Sequence, residues 1–230
     1  MVYLTGDTHG ELDRFKEGEL RRVGKGDFVV VLGDFGFVWD GSKAEQKNLD
    51  WLRKRPYTIL FLDGSHENYD LLEQYPTEER FGGLVQPLGG NVYHVCRGSV
   101  LELERKKYLC FGGAESLDKE EREAHVNWWP QEMPSDEEYA RCEAALEANG
   151  WQVDYVLTHD APSKFLDFSV LAEGENNRLH LFLDKVVMKT TYEKWFFGCH
   201  HKDVQLSTKS RCLFCDVVSI GEKKPWWKRR

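Results

Sequence analysis

Short apolar segments rich in β-branched and aromatic residues recur along the chain, each running into a glycine, a threonine or an acidic residue. This pattern is typical of strands. The clearest examples are residues 2–5, 28–32, 58–62, 155–158 and 194–197. Between them lie stretches whose apolar residues have helical spacing. The alternation predicts a mixed α/β chain.

Two of the predicted helices begin with a capping box, a serine followed three residues later by a glutamate. The pairs are Ser42 with Glu45 and Ser135 with Glu138. In a capping box, the hydroxyl and the carboxylate accept hydrogen bonds from amides that the helix start leaves unpaired. Residues 179–186 carry a further apolar stripe at helical spacing, which predicts another amphipathic helix.

Residues 91–112 have a different pattern, with three strand-like segments and very little between them. The segments cover residues 91–97, 99–104 and 107–111, and their close spacing predicts antiparallel hairpins. The segment that begins at residue 211 predicts one more strand. One doubly wound sheet would use fewer strands, so the sequence favours a two-sheet core flanked by helices.

Composition sets outer bounds on the fold and the function. The chain has 230 residues, 41% hydrophobic and 30% charged, with a net charge of −8. It shows no repeat and no linker composition, so we expect one domain over residues 1–230. The net negative charge argues against a broad basic surface for duplex nucleic acid but leaves a local patch open.

Signal, membrane and cysteine patterns in the sequence indicate where in the cell we expect the protein. The start lacks the apolar core of a signal peptide, and apolar runs such as FVVVL are too short for a membrane span. The six cysteines are scattered, and a domain of this size needs no disulfides. We therefore expect reduced cysteines and a cytoplasmic protein.

Five of the apolar segments lead into side chains that bind metals. One strand that ends in aspartate or histidine usually marks only a turn or a helix cap. Five together predict a shared site, because the carboxyl ends of strands in α/β sheets gather the ligand-binding residues. Carboxylates with imidazoles suit zinc, iron or manganese. The residues are Asp7, His9, Asp34, His66, His159, His200 and His201.

The motifs around these residues resemble, in order, those of the calcineurin-like metallophosphoesterases. That family shows GD-x-H, GD-x-x, GNH-D/E, a lone histidine after a strand, and GH-x-H. This chain has GDTH from residue 6, GDFG from residue 33, GSHE from residue 64, TH from residue 158 and GCHH from residue 198. The stretch LGDFGFVWDG is also similar to small bacterial and phage-associated members.

The resemblance implies an α+β fold, a four-layer α-β-β-α sandwich of two mixed sheets, with one or two divalent metals. Manganese, iron and zinc are the candidates. Asp7, His9 and His201 would hold the first metal, and Asp34 would bridge both. His159 would hold the second, with positions 65 and 199 beside it.

The resemblance further implies a hydroxide made acidic by the metals, which attacks phosphorus. His66 would lie over the phosphate, where it stabilises charge or protonates the leaving oxygen. The expected substrate is a phosphorylated small molecule, a nucleotide or a phosphoprotein. No residue that selects the substrate is identifiable from the sequence.

Three positions depart from the family pattern. Ser65 replaces the asparagine of GNH, and Cys199 replaces the first histidine of GH-x-H. Both replacements fall on the second metal, so we expect that site to be weakened. Asn68 or His200 could replace the missing ligands of the second metal. We favour other roles for them: Asn68 as the first residue of a helix and His200 as a neighbour that faces solvent. Phe37 stands where the protein-phosphatase branch has an aspartate followed by a phosphate-gripping arginine, which argues against that branch.

Two interpretations of function follow. The first is a metal-dependent hydrolase of phosphomonoesters or phosphodiesters. The second is a degenerate family member that binds a phosphorylated ligand without efficient turnover, an alternative that Ser65 and Cys199 favour. Residues 223–230 mix basic side chains with tryptophan, a composition that can bind single-stranded nucleic acid but more often forms a solvated tail.

Overall fold

The computed structural model describes residues 1–166, 171 and 176–221. The predicted tail at 223–230 therefore lies outside the described residues. The helices are α1 (Asp13–Lys16), α2 (Lys43–Arg53), α3 (Tyr69–Leu72), α4 (Asp136–Ala148), α5 (Ser163–Leu166) and α6 (Arg178–Lys189), with 3₁₀ turns at Leu20–Arg22, Lys119–Glu121 and Pro130–Glu132.

The described strands form two sheets. The strands are β1 (Val2–Thr5), β2 (Phe28–Val31), β3 (Thr58–Phe61), β4 (Glu78–Arg80), β5 (Gly83–Gly89), β6 (Val92–Val95), β7 (Ser99–Leu103), β8 (Lys106–Phe111), β9 (Tyr155–Thr158), β10 (Lys194–Phe197), β11 (Val204–Gln205), β12 (Ser210–Cys212) and β13 (Val218–Ile220). The first sheet has the order β13-β1-β2-β3-β6-β5-β4 and the second has the order β11-β12-β10-β9-β8-β7.

Both sheets are parallel at the centre and antiparallel at the edges. In the first sheet, β1, β2, β3 and β6 run parallel, whereas β13 and β5 pair antiparallel. In the second, β8, β9, β10 and β12 run parallel, whereas β7 and β11 pair antiparallel. The predicted mixed sheets are confirmed.

Alternation along the strands produces the layers, because successive side chains point to opposite faces. In β2, Val30 packs between the sheets with Leu157 of β9. Its neighbours Val29 and Val31 pack outward against α1, α2 and α3. In β9, Val156 packs outward against α4, α5 and α6. These contacts confirm the four-layer α-β-β-α sandwich.

Two strand predictions are wrong in their pairing. The hairpin of β7 with β8 is present, but β6 and β7 lie in different sheets. Gly98, with φ of +85°, turns the chain from one sheet to the other, a conformation that favours glycine. The segment from residue 211 forms two strands, β12 and β13, in different sheets. Amides of residues 214–216 donate to Asp203, and this turn ends β12.

The capping predictions differ in outcome. Ser135 and Glu138 form the reciprocal capping box at α4. Ser42 accepts from the Glu45 amide, as predicted, but the Glu45 carboxylate instead accepts from the amides of residues 39–41. The second half of that capping box is therefore absent, because the preceding loop turns its amides toward Glu45.

No described helix is both long and apolar enough to cross a membrane. The assignment of residues 1–230 to one domain stays a prediction.

Candidate metal centre

The predicted ligands follow the carboxyl ends of parallel strands in both sheets. In the first sheet, β1 leads to Asp7 and His9, and β2 leads to Asp34. In the second, β9 leads to His159 and β10 leads to His201. Their ligand atoms form overlapping groups of three, and within each group all atoms lie within 4.8 Å of one another. The sandwich thus gathers residues that are remote in sequence.

The first group contains Asp7, His9 and His201. The Nε2 atoms of the two imidazoles are 2.9 Å apart, and His201 Nε2 lies 3.9 Å from Asp7 Oδ2. The three ligand atoms therefore lie close enough together to share one ion. This is the set that the resemblance assigns to the first metal.

Asp34 lies between this group and His159. Its Oδ2 atom is 3.8 Å from His9 Nε2, and its Oδ1 atom is 3.4 Å from His159 Nε2. One oxygen thus faces each set of ligands. The arrangement has the form that a bridging carboxylate requires.

The hydrogen bonds of His159 determine which ring nitrogen is free. Its Nδ1 atom donates to the Leu32 carbonyl at 2.7 Å. Nε2 is then the nitrogen available to a metal, and it lies 3.4 Å from Asp34 Oδ1. A backbone acceptor behind a ligating imidazole is the usual way to fix its tautomer and orientation.

Two buried atoms of this centre have no hydrogen-bond partner among the residues that the structure describes. They are Asp7 Oδ2 and His159 Nε2, on side chains that are 0% exposed. Leaving such groups unpaired costs about 1–3 kcal/mol each. A divalent cation would satisfy both, because each atom can act as a ligand once it is deprotonated. The residues present therefore fit a metal of the manganese, iron or zinc type.

The backbone at the ligands is unusual. His9, Asp34, Cys199 and His201 all have positive φ, at 45°, 46°, 67° and 48°. Non-glycine residues rarely adopt this region, and such conformations concentrate at functional sites. Gly64 adds a second constraint, because a Cβ there would lie 2.2 Å from Asp34 Oδ1. Close approach of the backbone thus makes room for the ligands.

Burial and neighbouring charges shift the pKa values of the ligands. Burial raises the pKa of Asp7 to about 7 and lowers the pKa of His9 to about 4. His9 is therefore neutral near neutral pH, the form that binds metals. Burial would also lower the pKa of His159, but the Asp34 and Asp7 charges outweigh it and raise that pKa to about 9. Without a metal, His159 is therefore protonated at neutral pH, and a bound cation would displace the proton on Nε2.

His66 lies at the open side of the centre, with its side chain 40% exposed. Its amide donates to Asp34 Oδ1 at 2.8 Å, and its Nδ1 atom is 3.2 Å from Asp34 Oδ2. Its ring stacks on Trp39 with centroids 5.7 Å apart. His9, His66, Trp39 and Phe37 line an adjoining cavity of about 370 Å³. A volume of this size fits a small ligand.

The two substituted positions have different neighbours. Ser65 Oγ lies 3.4 Å from His66 Nδ1. The Cys199 thiol groups with Asp160 and His200. The prediction that His200 faces solvent is wrong, because its side chain is only 9% exposed. Asn68 caps α3, as expected.

Glu67 positions two loops of the centre through their backbone amides. This fully buried carboxyl accepts from the Phe35 amide at 2.6 Å and from the Gly64 amide at 3.3 Å. It thereby ties together the loops that carry Asp34 and His66. Its place in GSHE next to His66 was the available signal.

Two other buried carboxylates near the centre contact histidines other than His66. Asp63 contacts His94 and Asp160 contacts His180. Trp39 was not predicted, because stacking on His66 depends on a loop conformation that local sequence does not specify.

The fold and the site define a phosphoesterase of the metal-dependent class. A family model described as calcineurin-like phosphoesterase matches residues 1–199, and the chain belongs to that family. A search of curated proteins found no match. Membership supports metal-dependent hydrolysis of phosphoesters in general terms.

Solved structures show weaker likenesses. Phosphopantetheinyl hydrolase (PptH) from Mycobacterium tuberculosis is 13% identical with a TM-score of 0.40, covering 93% of this chain and 89% of that chain. A protein serine/threonine phosphatase from Saccharomyces cerevisiae, similar to human phosphatase PP5, is 14% identical with a TM-score of 0.38. That alignment covers 93% of this chain and 66% of that chain. Scores this low carry no functional argument.

Proposed function

We propose that this chain hydrolyses a phosphomonoester or phosphodiester at the described centre. The observation that carries the proposal is a pair of buried atoms, Asp7 Oδ2 and His159 Nε2, that have no hydrogen-bond partner among the described residues and belong to one group with Asp34. Asp7, His9 and His201 would hold one cation, Asp34 would contact two, and His159 would hold the second. Bound cations would polarise the phosphoryl oxygens and acidify a water molecule.

His66 is the residue that we assign to the leaving group. Its Nδ1 atom contacts Asp34 Oδ2, so Nε2 is the ring nitrogen that can contact the substrate. The ring is exposed and forms part of the cavity wall, so a substrate oxygen can reach it. Proton transfer from a positioned imidazole contributes about 10²–10⁴-fold to a rate.

The cavity beside His66 is the proposed position of the leaving group. Trp39 and His66 provide an aromatic wall. Such a wall favours a planar substituent through stacking. The expected substrates are therefore phosphoesters with an aromatic or heterocyclic group, which includes nucleotides.

The test compares a chromogenic aryl phosphomonoester with the matching phosphodiester, with manganese added. Asp34→Ala should lose both manganese binding and turnover. His66→Ala should keep manganese and lose at least about 10²-fold in turnover. His125→Ala is the matched control, because that histidine is exposed and pairs with Asp70 outside the centre. Full activity in His66→Ala would contradict its assigned role.

A second candidate function is ligand binding without efficient turnover. It is favoured by the position of Cys199, whose thiol groups with Asp160 and His200 and not with His159. A folded, manganese-loaded protein that binds the phosphoester but does not cleave it would support this alternative.

The expected weakening of the second metal site can be tested by measuring how many manganese ions bind and how tightly. Manganese prefers oxygen ligands to thiolate, so a manganese titration reports on the main centre. We expect one tight equivalent and one weak one. Two equally tight equivalents would refute the weakening.

A further inference from the structure

A second cluster of metal-binding side chains lies beside the main centre, on loops of the second sheet alone. Asp160 follows β9, and Cys199 and His200 follow β10. One ligand atom from each of the three lies within 4.8 Å of the others. The ligand atoms of these three residues are not in the groups that contain Asp7 or Asp34, although the Cys199 amide donates to Asp7 Oδ1.

His200 shows that this cluster is incomplete. Its Nε2 atom is buried and has no hydrogen-bond partner among the described residues, on a side chain that is 9% exposed. The atom points at Asp160, with 3.5 Å between Nε2 and Oδ1. An ion bound in the cluster would give this nitrogen a closer partner than the carboxylate oxygen.

Asp160 is already oriented for such an occupant. Its Oδ2 atom accepts from His180 Nε2 at 2.8 Å, and its Oδ1 atom accepts from the Ala161 amide at 2.7 Å. The amide of Asn177 donates to His180 Nδ1 and fixes that ring in turn. A carboxylate held by a second histidine is the kind of outer support that metal sites use.

The donor set identifies the class of ion. One thiolate, one imidazole and one carboxylate suit zinc, which takes sulfur, nitrogen and oxygen ligands in a tetrahedron. Ligands about 2.0–2.3 Å from a tetrahedral zinc lie roughly 3.3–3.8 Å apart. The distance of 3.5 Å between His200 and Asp160 falls in that range.

We propose that Asp160, Cys199 and His200 form a zinc site separate from the main metal centre. A water molecule or a substrate oxygen would complete the tetrahedron. The site does not depend on phosphoester hydrolysis, since its ligands and its test differ from those of the main centre. The proposed zinc site also accounts for Cys199 at the position of the family histidine, because the thiol would bind zinc and not the second metal of the main centre.

The test uses cobalt in place of zinc in the metal-depleted full chain. A thiolate bound to cobalt gives a charge-transfer band in the near ultraviolet, which carboxylate and imidazole sites do not give. We expect the band in the wild-type protein and its loss in Cys199→Ser. His200→Ala should weaken cobalt binding at this site by about 10-fold or more.

Two controls separate the ligands from other cysteines and histidines. Cys215→Ser alters an exposed thiol and should keep the band, as should His125→Ala. Zinc content should fall by one equivalent in Cys199→Ser and stay unchanged in Cys215→Ser. Circular dichroism verifies that each variant is folded.

The outcomes distinguish a zinc site from a simple contact of His200 with Asp160. Cobalt uptake without a thiolate band in the wild-type protein would overturn the proposal. So would a band of unchanged strength and affinity in His200→Ala. If the variants do not fold, the wild-type spectrum decides, with zinc added to displace cobalt and remove the band. Loss of phosphoesterase activity plays no part in these readings.

Discussion

Gly64→Ala tests whether the main centre works as a geometric unit. The added Cβ would lie 2.2 Å from Asp34 Oδ1 and 2.5 Å from His159 Nε2. Ordinary contacts begin at 3.4 Å, so Asp34 must move by about 1 Å. The φ of Gly64 is not positive, which means that the substitution acts by occupying space and not by straining the backbone.

The expected effect follows from the tolerance of metal sites. Ligand distances hold to about 0.2 Å in such sites, so a displacement of about 1 Å separates Asp34 from an ion that it contacts. Misplacement of about 1 Å costs on the order of 10²-fold in rate. We therefore expect turnover to fall by about 10²-fold and the manganese affinity to fall with it.

The measurement is the initial rate of aryl phosphoester hydrolysis across a manganese titration. Gly24→Ala is the matched control, because its Cβ would meet only the Asp27 carboxylate, at 3.8 Å. The control should keep the wild-type rate and affinity. If Gly64→Ala hydrolyses within two-fold of Gly24→Ala, Asp34 and His159 do not act together in a shared metal site.

Three further changes have expected outcomes. Asp63→Asn should lower the free energy of unfolding by about 3–5 kcal/mol at neutral pH, because it removes the carboxylate that pairs with buried Arg97. Burial would raise the pKa of Asp63, but the Arg97 charge and the His94 hydrogen bond hold it well below the usual range. The stabilisation is thus present above the usual carboxyl pKa and is lost as the pH falls toward the folded value. Urea unfolding that shows the same difference at neutral and strongly acidic pH would contradict this. Trp39→Ala should raise KM about 10-fold for an aryl phosphoester, but not for an alkyl one, and equal changes in both would count against the cavity. Ser135→Ala should cost about 1 kcal/mol through loss of the helix cap, and an unchanged melting temperature would be evidence against that role.

The fold was largely predictable because its central strands are short apolar runs that end at turn residues. Val29 to Val31 are all apolar since each faces a buried layer, and the run marks a strand without ambiguity. The pairing of β6 with β5 was not predictable. Gly83, Pro87 and Gly89 weaken the strand pattern of β5, and without that partner β6 was paired with the next strand along the chain.

The main site was predictable because each ligand follows a strand. Parallel strands bring their carboxyl ends together, so the position of Asp7, Asp34 and His159 after such strands indicated a shared site. His200 was different, since adjacent loop residues point in directions that depend on backbone angles. Cys199 has a left-handed φ of 67°, which no local pattern reports.

The left-handed backbone at four candidate ligands bears on how this chain tolerates substitution. Aspartate, asparagine, histidine and glycine accept that conformation more readily than valine or isoleucine. Substitutions at His9 and Asp34 must therefore be compatible with this backbone conformation as well as with metal binding. A lineage that abandoned hydrolysis would still retain ligand-like residues there. A library of substitutions at these positions, measured once for the amount of folded protein and once for turnover, will separate the two requirements.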